Sequence, residues 1–195
     1  MSEMTRVRLA AIAQINPPGA VPLENRSLVA YAALSAICAP EANVTPKYVL
    51  YGTFNKHVRQ FQSGDLLVPV IASGLAGNKI AQVGAEYPFG VCSPERNVIR
   101  ADENAVHPRF LLHWLRQRGA CALLPALRGT TVKRIGYEDL LQLEVILPPL
   151  LQQAKCAQLM DTALARRRAS ALYLRNAEKT ILAVWQQAMR QLAIE

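Results

Sequence analysis

"RGTTVKRIGYEDLLQLEVILPPLLQQ", Arg128–Gln153, changes pattern three times within a single stretch. Its first seven residues hold three cations, two hydroxyls and a glycine with no acid. "YEDLLQLEVILPP" then reads as one helical turn feeding a strand. Two prolines end the strand, and from Leu150 to Ile194 neither Pro nor Gly occurs. Ala, Leu, Gln and Arg dominate this last stretch, so it reads as one helix of up to ~45 residues, about 65 Å at ~1.5 Å per residue. The junction therefore divides the chain into a globular part, residues 1–148, and a long helix, residues 149–195.

Upstream, short apolar runs rich in Val, Ile and Tyr are bounded by Gly, Pro and Asn. They are "YVLYGTF" (Tyr48 to Phe54), "DLLVPVIAS" (Asp65 to Ser73), "KIAQVG" (Lys79 to Gly84) and "NVIRA" (Asn97 to Ala101), and each reads as a strand. "PRFLLHWLRQR", Pro108 to Arg118, places Pro at a first helical position and Phe110, Leu111, Trp114 and Leu115 on one face. The globular part is thus a mixed α+β domain.

A heptad frame fits the long helix. Leu150, Ala157, Leu164, Ala171, Trp185 and Leu192 form one row, Met160, Leu174, Ile181 and Ala188 the other, with Gln153, Arg167 and Glu178 as breaks. Such a stripe predicts a coiled-coil seam between helices, with Leu164, Leu174, Ile181, Trp185 and Leu192 as its contacts. The alternative is a hairpin folded back around "RRRASALYLRN".

Composition narrows the function. The net charge of +8 divides equally, +4 before Leu150 and +4 after it, and favours an anionic partner. No apolar run approaches the ~18 residues of a membrane span and the N-terminus lacks a signal-peptide pattern, so no membrane role and a cytoplasmic location are expected. Cys38, Cys92, Cys121 and Cys156 are scattered singly without Cys-x-x-Cys spacing. They read as buried small hydrophobes, with neither a metal site nor a disulfide framework.

"NPPG", Asn16–Gly19, raises the question of catalysis, because amino-methyltransferases acting on DNA bases carry Asn-Pro-Pro followed by an aromatic. Gly19 stands in the aromatic's place, and no Gly-x-Gly turn for a cofactor occurs anywhere in the chain. "NPPG" reads instead as the exit loop of an opening strand or helix. His57, His107 and His113 form no ligand spacing with acids or thiols, and the carboxylates Asp65, Asp102, Glu103, Glu138 and Asp139 suit turns and helix starts. No catalytic residue is assigned.

The order of these segments resembles a known family. "VRLAAIAQINPPG", "SGDLLVPVIASGLAGNKIAQV", "FLLHWLRQR" and above all "GTTVKRIGYEDLLQLEVILPPLLQQ" are similar to the specificity subunit of Type I restriction-modification systems, across nearly the whole chain. Gln152-Gln153 stands where the family usually has Glu-Gln. A full specificity subunit has two target-recognition domains, each reading half of a bipartite DNA site, separated by two long helices that act as a ruler. This chain shows one domain and one helix, and no internal repeat. The resemblance therefore implies a half subunit that pairs with a second copy, helix antiparallel to helix, and reads a palindromic bipartite site. It also implies a separate DNA methyltransferase subunit carrying S-adenosylmethionine, with no cofactor in this chain, and leaves room for a restriction subunit.

Double-stranded DNA needs cations, hydroxyls and amides for phosphates and paired donors and acceptors for bases. "RGTTVKR" offers Arg128, Thr130, Thr131, Lys133 and Arg134 as a backbone clamp. "FNKHVRQ" offers Asn55, Lys56, His57, Arg59 and Gln60 for base reading. "ASGLAGNK" offers Ser73, Asn78 and Lys79 in a tight loop whose glycines would admit a phosphate, and Arg96 with Asn97 in "SPERNV" is a fourth candidate. Arg166, Arg167 and Arg168 are consecutive on a helix and spread around it, so they cannot share one phosphate track. The rival class is a non-enzymatic coiled-coil adaptor whose head binds protein. It keeps the heptads but lacks salt-sensitive DNA affinity. A stand-alone repressor is a further rival, and no helix-turn-helix pattern is found.

Overall fold

A computed structural model describes residues 4–19, 21–38, 42–54, 57–76 and 78–192. The chain divides into two compact units, Met1–Gln158 and Leu159–Glu195. The first strands are β1 (Thr5–Arg8), β2 (Ala13–Ile15), β3 (Leu28–Ala32), β4 (Ile37–Cys38), β5 (Asn43–Val44), β6 (Lys47–Leu50), β7 (Arg59–Gln62) and β8 (Leu66–Pro69), followed by helix α1 (Ala72–Ala76). Then come β9 (Ala81–Gln82), β10 (Phe89–Cys92), β11 (Arg96–Ala101) and helices α2 (Pro108–Trp114), α3 (Ala120–Leu123) and α4 (Tyr137–Leu141). Strand β12 (Glu144–Leu147) leads into helix α5 (Leu150–Leu192). The fold is mixed α+β with a long C-terminal helix, as the sequence predicts.

Among the described residues, three sheets organise the first unit. One runs β2-β11-β8-β9-β5-β4, a second β6-β3-β10-β7, and β1 pairs with β12 as a ribbon. Side-chain alternation explains the layering. Leu66 and Val68 of β8 and Ile99 of β11 pack with Leu111, Leu112, Leu115 and Leu140 from the helices. Their neighbours Leu67 and Val98 point the other way and pack with Ala30, Phe61 and Cys92 of the second sheet. A strand dry on both faces is a continuous apolar run, which is why "DLLVP" shows no polar alternation. Asp65, 1% exposed, stands at the start of that run and is neutralised there. Arg100 donates to both its oxygens at 2.9 and 2.8 Å, and the backbone amide of Gln62 donates to Oδ2 at 2.8 Å.

Several expectations need correction at the element level. Tyr48–Phe54 is strand only to Leu50, after which Tyr51–Thr53 is a 3-10 turn. Lys79–Gly84 contains only the two-residue β9. The glycine-punctuated segment after β8 is not a loop throughout, since Ala72–Ala76 forms α1. The helix expected over Pro108–Arg118 continues past Arg118, because a π-helical turn at Leu115–Gly119 joins α2 to α3. Cysteines divide by position: Cys92 is buried in the sheet interface, but Cys121 and Cys156 are exposed.

The start of α5 shows why Gln153 interrupts the heptads. Its side chain is 1% exposed. Oε1 accepts the backbone N–H of His107 at 2.8 Å, and Nε2 donates to the carbonyl of Pro148 at 2.8 Å. One carboxamide thus ties the N-terminus of α2 to the proline pair that launches α5. Ala157, one turn on, is 2% exposed. In the second unit Leu164 is half-buried, while Leu174, Ile181 and Trp185 are exposed. The side chain of Leu192 lies outside the described residues.

Gln153→Leu leaves two partly buried backbone groups without their partner, and chemical denaturation should register a loss of about 1 kcal/mol. Burial pushes the Cys92 thiol up to about 12 against the opposing pull of Arg96 and Arg59. Alkylation of the native protein at neutral pH, followed by peptide mass spectrometry, should mark Cys121 and Cys156 and spare Cys92 until denaturant is added.

Candidate nucleic-acid interface

Strand β11 starts where β2 and β8 end, and its second residue gathers the loops at that end of the sheet. Asn97, 3% exposed, presents its carboxamide oxygen to Asn16 Nδ2 at 3.0 Å and to Arg59 Nη1 at 3.1 Å. Asn16 sits at φ +51, a left-handed conformation asparagine tolerates, and its own side-chain oxygen accepts the amide of Val98 at 3.0 Å. Its backbone amide donates to the Val98 carbonyl at 2.7 Å. "NPPG" is therefore the exit of β2, and its asparagine serves the β2–β11 pairing, not a flipped base. Gln60 pins the following segment by exchanging two hydrogen bonds with the backbone of Val21, at 2.8 and 3.2 Å.

From Glu95 a further run of backbone bonds reaches the basic loop. The Glu95 carbonyl accepts Val70 N–H at 2.8 Å, the Val70 carbonyl accepts Ile135 N–H at 2.9 Å, and the Lys133 carbonyl accepts Ala72 N–H at 3.0 Å. Arg128 and Arg134 close the loop on each other with two backbone bonds, at 2.9 and 2.8 Å. Between them Gly129 takes φ +115, which a side chain would strain, and every residue from Arg128 to Arg134 is exposed. The structure thus joins "NPPG", the start of β7, the start of β11, α1 and "RGTTVKR" through one hydrogen-bonded chain.

The individual candidates divide. Arg128, Thr130, Thr131, Lys133 and Arg134 are exposed on that loop, and Ser73 on α1 and His57 before β7 are exposed as well. Asn55 and Lys56 lie outside the described residues. Arg96 is a correction: it is 0% exposed, its guanidinium donating to the carbonyls of Ala33 at 3.4 Å and Lys79 at 3.5 Å. Strand alternation turns it between the two sheets, out of reach of a duplex, and burial lowers its pKa. Arg59 is half-buried and spends Nη1 on the Arg96 carbonyl and on Asn97, so it braces the loops from beneath.

Asn78 and Lys79 are half-buried. The backbone around them is already engaged, since Arg116 Nη1 donates to the carbonyls of Asn78 at 3.2 Å and Ile80 at 2.7 Å. Gly74 does not open a path for phosphate either. A Cβ there would stand 2.5 Å from Pro69 Cβ, so its smallness lets α1 fold onto the end of β8. Gln60 and Asn97, offered from sequence beside Arg59 and Arg96, are occupied by the internal hydrogen bonds just described. Asn16 and Asp139, read from sequence only as a loop exit and a helix-start acid, are the two residues of this framework that sequence reasoning did not bring to the site.

Asp139 stands in the first turn of α4. Its Oδ2 accepts the amide of Gly136 at 3.0 Å, and its Oδ1 lies 3.1 Å from Nη2 of Arg128. Among the described residues no three His, Cys, Asp or Glu side chains group as a metal site, and no helix is long and apolar enough to cross a membrane.

No family model and no curated protein matches the sequence. Solved structures do. The HsdS subunit from Thermoanaerobacter tengcongensis superposes with a TM-score of 0.73 at 24% identity, covering 90% of this chain and 46% of that one. A chain from a study of complex assembly and conformational transition of the type I R-M system gives 0.70 at 25% identity, with the same 90% and 46% coverage. The Type I restriction-modification S subunit from M. genitalium gives 0.51 at 14% identity, over 83% of this chain and 39% of that one. This chain spans about half the length of the first two. Over nine-tenths of its length, the protein has the fold of the HsdS specificity subunits of Type I restriction-modification systems.

Proposed function

We propose that this chain is the DNA-recognition element of a Type I restriction-modification system, reading one half of a bipartite double-stranded site and directing a separate methyltransferase subunit to it. Residues 1–148 are the target-recognition domain and 149–195 the spacer and pairing helix. The observation that carries the reading is the wholly exposed basic loop Arg128–Arg134, bonded to α1 at the strand ends of a specificity-subunit fold. Lys133 and Arg134 supply phosphate contacts, the hydroxyls of Thr130 and Thr131 add neutral donors, and His57 and Ser73 extend the contact surface.

Two copies pair along α5, where Leu174, Ile181 and Trp185 are exposed in the heptad rows. The pair reads a palindromic bipartite site in the cytoplasm. Chemistry, and S-adenosylmethionine with it, belongs to the modification subunit, and a restriction subunit can join the same assembly. This chain contributes address and spacing and no catalytic residue.

Co-expression with a cognate modification subunit tests this directly, by the mass of the purified complex and by sequencing of methylated sites. Two copies of each chain and methylation on a symmetric split motif are expected. A dimer that binds no methyltransferase and leaves DNA unmarked would move the protein to the adaptor class. Within the complex, Lys133→Ala and Arg134→Ala should each weaken binding to all sequences alike. Each should also flatten the slope of log affinity against log salt by about 1.

A further inference from the structure

We propose that Arg128 reads a guanine edge and that Asp139 positions it, whereas Lys133 and Arg134 of the same loop hold phosphates. The proposal rests on the DNA-recognition reading above and goes further by dividing the loop's cations between two tasks.

The geometry makes that division. Arg128 is fixed at both ends: its backbone amide and carbonyl are bonded to Arg134, and its Nη2 lies 3.1 Å from Asp139 Oδ1. Asp139 is itself held, because its other oxygen accepts the Gly136 amide at the start of α4, and its side chain is only 15% exposed. The Arg128 side chain remains 80% exposed. A guanidinium has five donors in a rigid plane, and one is spent here. Whichever Nη2 hydrogen faces the carboxylate, the other pairs with Nε or Nη1 to leave one two-donor edge free. That edge matches the two acceptors, N7 and O6, that guanine shows in the major groove.

The carboxylate also argues against a phosphate as the ligand of Arg128. A phosphate oxygen seated on this guanidinium would lie close to Asp139, and like-charge repulsion would offset much of the attraction. A guanine edge carries no net charge and escapes that penalty, and a carboxylate can accept from the amino group of the paired cytosine. Lys133 and Arg134 are exposed and have no acidic partner among the described residues, so they keep their full charge for the backbone. Holding Arg128 in place before binding also lowers the ordering cost of a directional contact.

The test is selection from a pool of randomised DNA duplexes by the full chain in complex with its modification subunit, with salt titrations on the selected sequence. Arg128→Ala and Arg128→Lys should both lose discrimination, about tenfold, at one G·C pair of the motif, with the salt slope unchanged. The lysine keeps the charge but lacks the fork, so it also guards against a folding defect in the alanine variant. Asp139→Asn keeps an acceptor for Gly136 and should weaken the same preference. Lys133→Ala should leave every base preference intact and flatten the slope. If the Arg128 variants keep the whole motif and flatten the slope instead, Arg128 is a phosphate ligand and the proposal is wrong. If the wild-type complex selects no motif at all, the recognition reading itself fails, and this inference with it.

Discussion

Strand β8 and the first four residues of β11 are dry on both faces, and the rest of the domain is arranged around that constraint. Leu66, Leu67, Val68, Val98 and Ile99 are all 0% exposed, divided between a helical layer and a second sheet. Such strands have no lateral surface on which a functional polar group can stand, because burying one without a partner costs more than most contacts return. Polar residues are displaced to the strand ends, where each is matched. Asp65 takes Arg100 at one end, and Asn97 takes Asn16 and Arg59 at the other. An apolar slab with paired polar ends leaves the loops beyond it as the surface on which exposed polar groups can stand.

The parts of this fold visible in the sequence are those specified locally. "YEDLLQLEVILPP" folds as the helical turn and strand it suggests, Pro108 opens α2, and the Pro-free stretch becomes α5. Each of these depends on capping, proline sterics or periodicity within a few residues. The two-residue strands β4, β5 and β9 have no such signal, since they exist only through partners distant in sequence, as when Asn43 pairs with Gln82. Gln153 looked like a flaw in a heptad and is a buried clamp, because a carboxamide inside a helix declares its role only when its two backbone partners are placed.

The polar candidates were legible as charge but not as depth. Seven residues without an acid marked "RGTTVKR" as an exposed basic loop, and that is where the structure puts it. The same reasoning failed at Arg96, because a cation beside a turn is usually solvated and the sheet that swallows this one is built from remote segments. Arg59 belongs to the same error in milder form. Asp139 was legible only as a helix-start acid; its reach back to Arg128 crosses a loop whose closure is set by the Arg128–Arg134 backbone bonds.

Helix α5 poses the remaining physical question, because its second half exposes more apolar surface than two heptad rows account for. At ~100° per residue, Leu174, Ile181 and Trp185 form a central stripe, with Tyr173 and Val184 flanking one side and Leu182 and Met189 the other. The arc spans roughly half the circumference, wider than the a/d seam of a two-stranded coiled coil. A single antiparallel neighbour covers the stripe and leaves the flanks wet, whereas a bundle of several helices buries both. Arg166, Arg167 and Arg168, all exposed and pointing in different directions, lie before this arc and separate it along the helix from the exposed Leu150, Leu151 and Leu159. The width of the arc therefore fits more than one helical neighbour.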